Sequence, residues 1–451
     1  MPKSVPLYTH QTGDIKFELE NPLVFDTSDA GTGKTRTRLE VYSRRHAKGL
    51  AKCVLVLAPK SILKSAWEND CKKFTPWLKA KCCYAATRDK DFKEKADIYI
   101  TNHDAVKWLA KQPKAFFARF NSLVIDESTA FKHHTSDRSK ALTKIKKYFK
   151  FRNCMTGTPN TLSVTDLWNQ VNILDDGARL GQSFYHFRAS VQQPEQVGRL
   201  PHMVKWTDRP GSEEAVGALL TDITIRHAFE DCHDIPPNHN YVVPFDMSGS
   251  HRAVYDEMAR AKLAELDTGT ITAINAASVV TKLLQIASGA VYDANSDYHV
   301  VDESRYELVA DLAQERKFSV VFFLWKHQKE MLIEEFKKRK LTNTLIDGSV
   351  SSRKRDEAVQ NFQAGFYRIL LAHPQSAAHG LTLTKGTSTI WSSPTYNLEH
   401  WLQGNKRIYR AGQTQKTETV NVIAEGTIEE RVYHVLNQKG IKLANLLDML
   451  K

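Results

Sequence analysis

Short, continuously apolar runs separated by longer amphipathic stretches dominate this chain, and the pattern occurs twice. Residues 22–26, 53–58, 97–101, 122–126 and 153–156 read as strands, with helix-like segments such as 37–48 and 61–74 between them. A strand that is apolar on both faces has to be covered on both, and alternating helices supply the cover. The pattern returns at 318–325, 344–347, 367–372, 387–391 and 419–423, with helices expected at 327–339, 352–363 and 398–409. No residue-level repeat relates the two stretches. The expected fold is α/β: two doubly wound parallel-sheet domains in tandem, with helical insertions.

Residues 161–230 and 251–290 are richer in polar residues and helix formers and read as the insertions. The expected linker is 232–240, where Pro236-Pro237 forces extended backbone, which sets domain boundaries at 1–235 and 236–451. A length of 451 residues suits two such domains. With 41% hydrophobic and 25% charged residues, a largely disordered chain is excluded. No apolar run approaches the ~20 residues that span a bilayer, and the N-terminus has no signal-peptide core. A soluble, cytoplasmic protein with no membrane partner is expected. The six cysteines form no C-x-x-C pair and read as reduced interior thiols. His133-His134 has no third ligand nearby and reads as a loop. A net charge of +12 permits a polyanionic partner without requiring one.

Asp29-Ala-Gly-Thr-Gly-Lys-Thr35 falls between the first strand and the first helix. A Gly-rich turn there lets successive backbone N–H groups face a phosphate, and the helix N-terminus adds its positive dipole end. Gly31 and Gly33 supply backbone freedom, Lys34 reaches the β/γ-phosphates, and Thr35 can place its hydroxyl on Mg²⁺. The full motif has Gly where this chain has Ser28. Asp126-Glu127, at the end of another strand, adds a carboxylate for the metal shell and one to orient or deprotonate water. Together these predict a nucleoside triphosphatase. Downstream, Arg407 and Arg410 are spaced to share one helical face and can bring positive charge to a γ-phosphate.

The order of Asp29–Thr35, Asp126-Glu127, Thr156-Gly-Thr-Pro159, Gly380-Leu-Thr-Leu-Thr384 and 403–413 resembles the motif series of superfamily 2 helicases. More narrowly it resembles the Swi/Snf-related branch of double-stranded DNA translocases. The blocks at 57–67, Asp126 through Lys132, Asp347-Gly-Ser349, Arg410-Ala-Gly-Gln413 and Gly426-Thr-Ile-Glu-Glu430 carry the narrower likeness. It covers 11–436, and the absence of a long tail, reader module or nuclease motif is more similar to compact bacterial or viral members. Ser128-Thr129 departs from the Ala-His common after Asp-Glu, Lys406 from an Asp, and Ser392-Ser393 lacks an acidic residue. None of these removes a catalytic group.

The resemblance implies two RecA-like domains and ATP with Mg²⁺ as the fuel. Gln11 would read adenine, and Asp29, Gly31, Thr32, Gly33, Lys34, Thr35, Gly380 and Gln403 would line the nucleotide site. Thr35 and Asp126 would hold the metal. Lys34, Asp126, Glu127, Arg407 and Arg410 would act in catalysis, and Thr156 and Thr158 would couple hydrolysis to movement. A motor on duplex DNA grips phosphates. The expected contacts are Lys60, Ser61, Thr101, Asn102 and His103 in the first domain, and Trp325, Lys326, Ser349, Arg353, Thr384 and Lys385 in the second. Duplex DNA is the expected partner ahead of single strands or RNA, with replication, recombination or repair as the setting and the monomer as the acting form. A strand-separating helicase and an ATP-switched scaffold are the alternatives.

Overall fold

A computed structural model describes residues 6–160, 163–196, 203–267, 273–293, 295–377 and 381–449. The chain divides into two compact units, Met1–Asp234 with Lys439–Lys451, and Ile235–Gln438. Among the described residues, no helix is long and apolar enough to cross a membrane.

The strands of the first unit are β1 (Leu23–Asp26), β2 (Cys53–Ala58), β3 (Ala80–Cys82), β4 (Ile98–Asn102), β5 (Phe120–Asp126), β6 (Phe151–Met155), the pair β7 (Gln192–Gln196) and β8 (Val204–Asp208), and β9 (Thr224–Ile225). Seven of them form a sheet in the order β3-β4-β2-β5-β6-β1-β9, parallel throughout. The central strands are buried along nearly their whole length, which is why they read as unbroken apolar runs. On one face, Val54, Val56 and Ala58 of β2 meet Leu39, Tyr42, Leu63 and Trp67 from the covering helices.

The second unit contributes β10 (Asn238–Phe245), the hairpin β11 (Ala290–Tyr292) with β12 (Tyr298–Val300), β13 (Ser319–Phe322), β14 (Asn343–Ile346), β15 (Ile369–Ala372), β16 (Ser388–Trp391) and β17 (Thr417–Ala424). Its six-stranded sheet runs β10-β17-β16-β13-β15-β14, again all parallel. Alternate residues feed opposite cores: Val321, Ile369 and Leu371 pack on one face, and Val320, Phe322, Leu370 and Ala372 on the other.

Three expectations are corrected. The linker 232–240 is cut short, because β10 begins at Asn238 and pairs along its whole length with β17. The 161–230 insertion is not purely helical; it holds the antiparallel pair β7–β8 and the edge strand β9. The helix expected over 398–409 ends at Asn405, so Arg407 and Arg410 lie in the turn that follows rather than on one regular helical face.

Candidate nucleotide site at the ends of three adjacent strands

The order β5-β6-β1 sets three carboxyl ends side by side, and their register is level. Asp26 of β1 and Asp126 of β5 both stand opposite Met155 of β6. Thr27, Glu127 and Thr156 therefore leave the sheet at the same end, across a width of about 10 Å at ordinary strand spacing.

β1 runs into the Gly-rich turn. Gly31 and Gly33 sit at φ +94° and +86°, a region that side chains rarely adopt. Gly33 is the N-cap of the helix Lys34–Ala47 and offers no capping side chain, so the first N–H groups of that helix suit an external anion. Lys34 Nζ folds back over the turn, donating to the carbonyls of Ser28 and Asp29 at 2.5 and 2.8 Å. The buried Thr32 hydroxyl donates to the same Asp29 carbonyl at 2.9 Å. Thr35 is half-buried, one residue into the helix.

The turn is held by a segment some two hundred residues downstream. After β9, Arg226 Nη1 donates to the Thr27 carbonyl at 2.9 Å and to Asp29 Oδ1 at 2.8 Å. The Phe229 N–H donates to Asp29 Oδ2 at 3.1 Å, and the Asp29 N–H to the His227 carbonyl at 3.0 Å. The Asp29 carboxylate is thus committed to Arg226 and Phe229 and positions the loop, a departure from its expected place as a nucleotide ligand. Ser28 has its own reason for not being glycine: its hydroxyl accepts the His227 N–H at 3.1 Å. Two further imidazoles donate to the turn, His10 Nε2 to the Thr32 carbonyl at 2.8 Å and His233 Nε2 to the Gly31 carbonyl at 3.1 Å. The sequence reading missed all of these.

Gln11, on the helix Thr9–Glu20, is fully buried. Its Oε1 accepts the Tyr8 N–H, and its Nε2 donates to the Gly33 carbonyl, each at 3.0 Å. A Cβ on Gly33 would stand 2.4 Å from that Nε2, so Gln11 and the turn fit only with glycine there. Beneath the turn, buried Arg38 pairs with Asp26 at 3.0 Å and with Glu18, while Asp26 Oδ1 accepts the Ser28 N–H at 2.9 Å.

At the end of β5, Asp126 is 8% exposed and its Oδ2 accepts the Trp67 indole N–H at 2.8 Å. Burial first, then the adjacent Glu127, raises its pKa well above the usual carboxylate range; Trp67 and Lys34 oppose that rise. Glu127 has φ +55°, a conformation that costs a non-glycine residue roughly 1–3 kcal/mol and collects at functional sites. Its Oε2 accepts the Thr156 hydroxyl at 3.4 Å, and the Thr158 N–H donates to that hydroxyl at 3.2 Å. Thr35 and Asp126 fit Mg²⁺ by donor type, because that ion takes few protein oxygens and completes its shell with phosphate and water.

The expected nucleic-acid contacts divide sharply. In the first unit Lys60 is exposed, Ser61 is half-buried, and both open a short 3-10 turn. Asn102 is half-buried and accepts from Arg88 at 2.9 Å. Thr101 and His103 are corrected: Thr101 is fully buried with its hydroxyl on the Cys83 carbonyl at 2.8 Å, and His103 points inward to the Asp126 carbonyl at 2.7 Å. In the second unit Lys326, Ser349 and Arg353 are exposed, and Trp325, Thr384 and Lys385 are half-buried. Gln403 is buried and its carbonyl accepts from Arg407 Nε at 2.7 Å. Arg407 and Arg410 share the Leu381 carbonyl, at 3.2 and 3.0 Å. Gly380 lies outside the described residues.

Comparison with known proteins places this architecture. The SNF2-related domain matches residues 21–289, and the helicase conserved C-terminal domain matches 304–412. Those two domains in that order define the class, a helicase-type ATPase core. The chain belongs to the SNF2-related family. Protein p41 of Acyrthosiphon pisum secondary endosymbiont phage 1 is 28% identical, over 93% of each chain. The uncharacterized ATP-dependent helicase MG018 of Mycoplasma genitalium is 24% identical over 85% of this chain but only 36% of its own length. The chain therefore spans the phage protein and about a third of the longer helicase. The Sulfolobus solfataricus SWI2/SNF2 ATPase core in complex with dsDNA is similar at 22% identity, over 99% of this chain and 95% of that one, with a TM-score of 0.47.

Proposed function

We propose that this protein is an ATP-driven motor that tracks along duplex DNA, in the setting of replication, recombination or repair. The observation that carries the reading is the level register of β1, β6 and β5, which gathers the Gly-rich turn, Thr156 and the Asp126-Glu127 pair at one end of a parallel sheet.

On ATP binding, Lys34 leaves the Ser28 and Asp29 carbonyls for the β/γ-phosphates, and the N–H groups of 31–35 close around them. Gln11, anchored on Gly33, reads the base edge. Thr35 and Asp126 would hold Mg²⁺, which would supply positive charge against the developing phosphate charge. Glu127 orients the attacking water and accepts its proton, and its link to Thr156 and Thr158 passes the loss of the γ-phosphate to the loop after β6. Arg407 and Arg410 supply positive charge from the second unit in the hydrolysing state, with Gln403 supporting Arg407. Lys60, Ser61 and Asn102 in one unit, and Trp325, Lys326, Ser349, Arg353, Thr384 and Lys385 in the other, grip the phosphate backbone in alternation.

The test is the ATPase rate with duplex DNA, single-stranded DNA, RNA or no nucleic acid. Duplex DNA is expected to stimulate most. Stronger stimulation by single strands or RNA would favour a strand-separating helicase, and no stimulation by any of them would favour an ATP-switched scaffold.

A further inference from the structure

Two side chains from two different loops converge on one residue. Trp67 follows β2; its indole N–H donates to Asp126 Oδ2 at 2.8 Å. His103 follows β4; its Nε2 donates to the Asp126 carbonyl at 2.7 Å, and a carbonyl can only accept, so the proton is on Nε2. The exposed Lys60 opens the first of these connections, and the half-buried Asn102, the last residue of β4, immediately precedes His103.

The local backbone makes the first connection stiff. After the 3-10 turn Lys60–Ile62 the chain enters a π-helical turn, Leu63–Glu68, before regular helix resumes at Asn69–Phe74. A π turn is rare and is frequently found at functional sites. Here it leaves Lys64 and Ser65 outside and turns Trp67 inward, at 1% exposure, onto the carboxylate. The second connection acts on the backbone. The Asp126 carbonyl belongs to the peptide plane that leads into Glu127, the residue at φ +55°, so the His103 bond fixes the orientation from which Glu127 departs.

We infer that Trp67 and His103 are positioning residues that carry nucleic-acid binding to the hydrolytic site, Trp67 by orienting the Asp126 carboxylate and His103 by holding the peptide before Glu127. The inference rests on the motor reading above. A phosphate docking at Lys60 or beside Asn102 shifts a short element whose inner end is hydrogen-bonded to Asp126. Linkage requires the reverse as well: a metal-bound nucleotide tightens both loops on the track.

The experiment uses the full chain, a labelled DNA duplex and a fluorescent ATP analogue, mant-ATP, titrated with Mg²⁺. Trp67→Phe keeps the buried ring but loses the donor. It is expected to bind duplex like the parent, to need about 10–100-fold more Mg²⁺ for half-maximal mant-ATP binding, the usual scale for losing a partner of a metal ligand, and to lose the duplex-induced shift of that midpoint. His103→Ala is expected to abolish duplex stimulation of kcat with KM for ATP retained, and His103→Gln, which restores an N–H donor, to recover it. A Trp67→Phe midpoint and duplex response equal to the parent's, or His103→Gln behaving like His103→Ala, would overturn the inference. A parent chain that binds mant-ATP but not duplex would instead sink the motor reading, which separates the two failures.

Discussion

On the proposed function, Lys34 and Glu127 occupy the positions where single atoms decide the chemistry. Lys34 is held by two carbonyls of its own turn, so its ammonium is already placed over the loop before a phosphate arrives. Lys34→Ala is expected to lower ATP turnover by at least about 1000-fold, and Glu127→Gln, nearly isosteric, to do so while still binding mant-ATP. Rapid-quench assays beside equilibrium nucleotide binding check both, and full turnover by either variant contradicts the site. Gly33 is constrained twice, by φ +86° and by the 2.4 Å approach of Gln11 Nε2. Gly33→Ala is expected to weaken nucleotide binding about tenfold or more, the scale of one strained backbone position.

At the scale of elements, the turn depends on a latch from the end of the first unit. Arg226 and Asp29 form a pair whose side chains are 6% and 9% exposed. Removing one partner of such a pair leaves the other buried and uncompensated, at a cost of about 3–5 kcal/mol. Arg226→Ala is expected to lower the melting temperature and weaken nucleotide binding together, and combination with Asp29→Asn to cost less than the sum of the two singles; thermal melts of all four proteins check the cycle. In the second unit, His327 is fully buried, with Nδ1 facing the Tyr292 hydroxyl at 2.9 Å and Nε2 facing the Ser288 hydroxyl at 3.0 Å. Burial pushes its pKa down to about 3, whereas an unfolded histidine titrates near 6.5. Between those values the unfolded chain binds a proton that the folded chain does not, so stability falls as pH drops through that window. Denaturant midpoints measured from pH 7 to pH 4 are expected to decline, and His327→Gln to flatten that slope.

The elements also show which signals the sequence carried. Buried parallel strands such as β2 and β5 announce themselves, because both faces are apolar, and the Gly-rich turn and Asp126-Glu127 are legible because their chemistry is local. The latch is not. β9 is two residues long and too short to have a period, and Arg226 meets Thr27 only across 199 residues of chain. β10 was hidden differently: it is an edge strand, exposed over most of its length and containing Pro244, so Pro236-Pro237 and polar composition made its start read as linker. Thr101 and His103 read as phosphate contacts in the loop after a strand. Burial of their polar atoms against Cys83 and Asp126 follows from tertiary packing that no spacing rule encodes.

At the scale of the whole molecule, two parallel-sheet units in one SNF2-family chain account for nearly all of the described residues. The surplus of positive charge, +12 over 451 residues, is modest for a nucleic-acid partner. A moderate surplus is what a motor needs if it must release phosphates in each cycle, since affinity rises with every phosphate neutralised. On the proposed function, ATP hydrolysis moves this protein along an intact duplex. Displacement of a third strand from triplex-bearing duplex DNA tests it most directly, because the third strand is removed only by something travelling along the duplex beneath it. Displacement is expected to require ATP and Mg²⁺ and to be lost in Glu127→Gln. Vigorous duplex-stimulated ATP hydrolysis with the third strand still in place would contradict it.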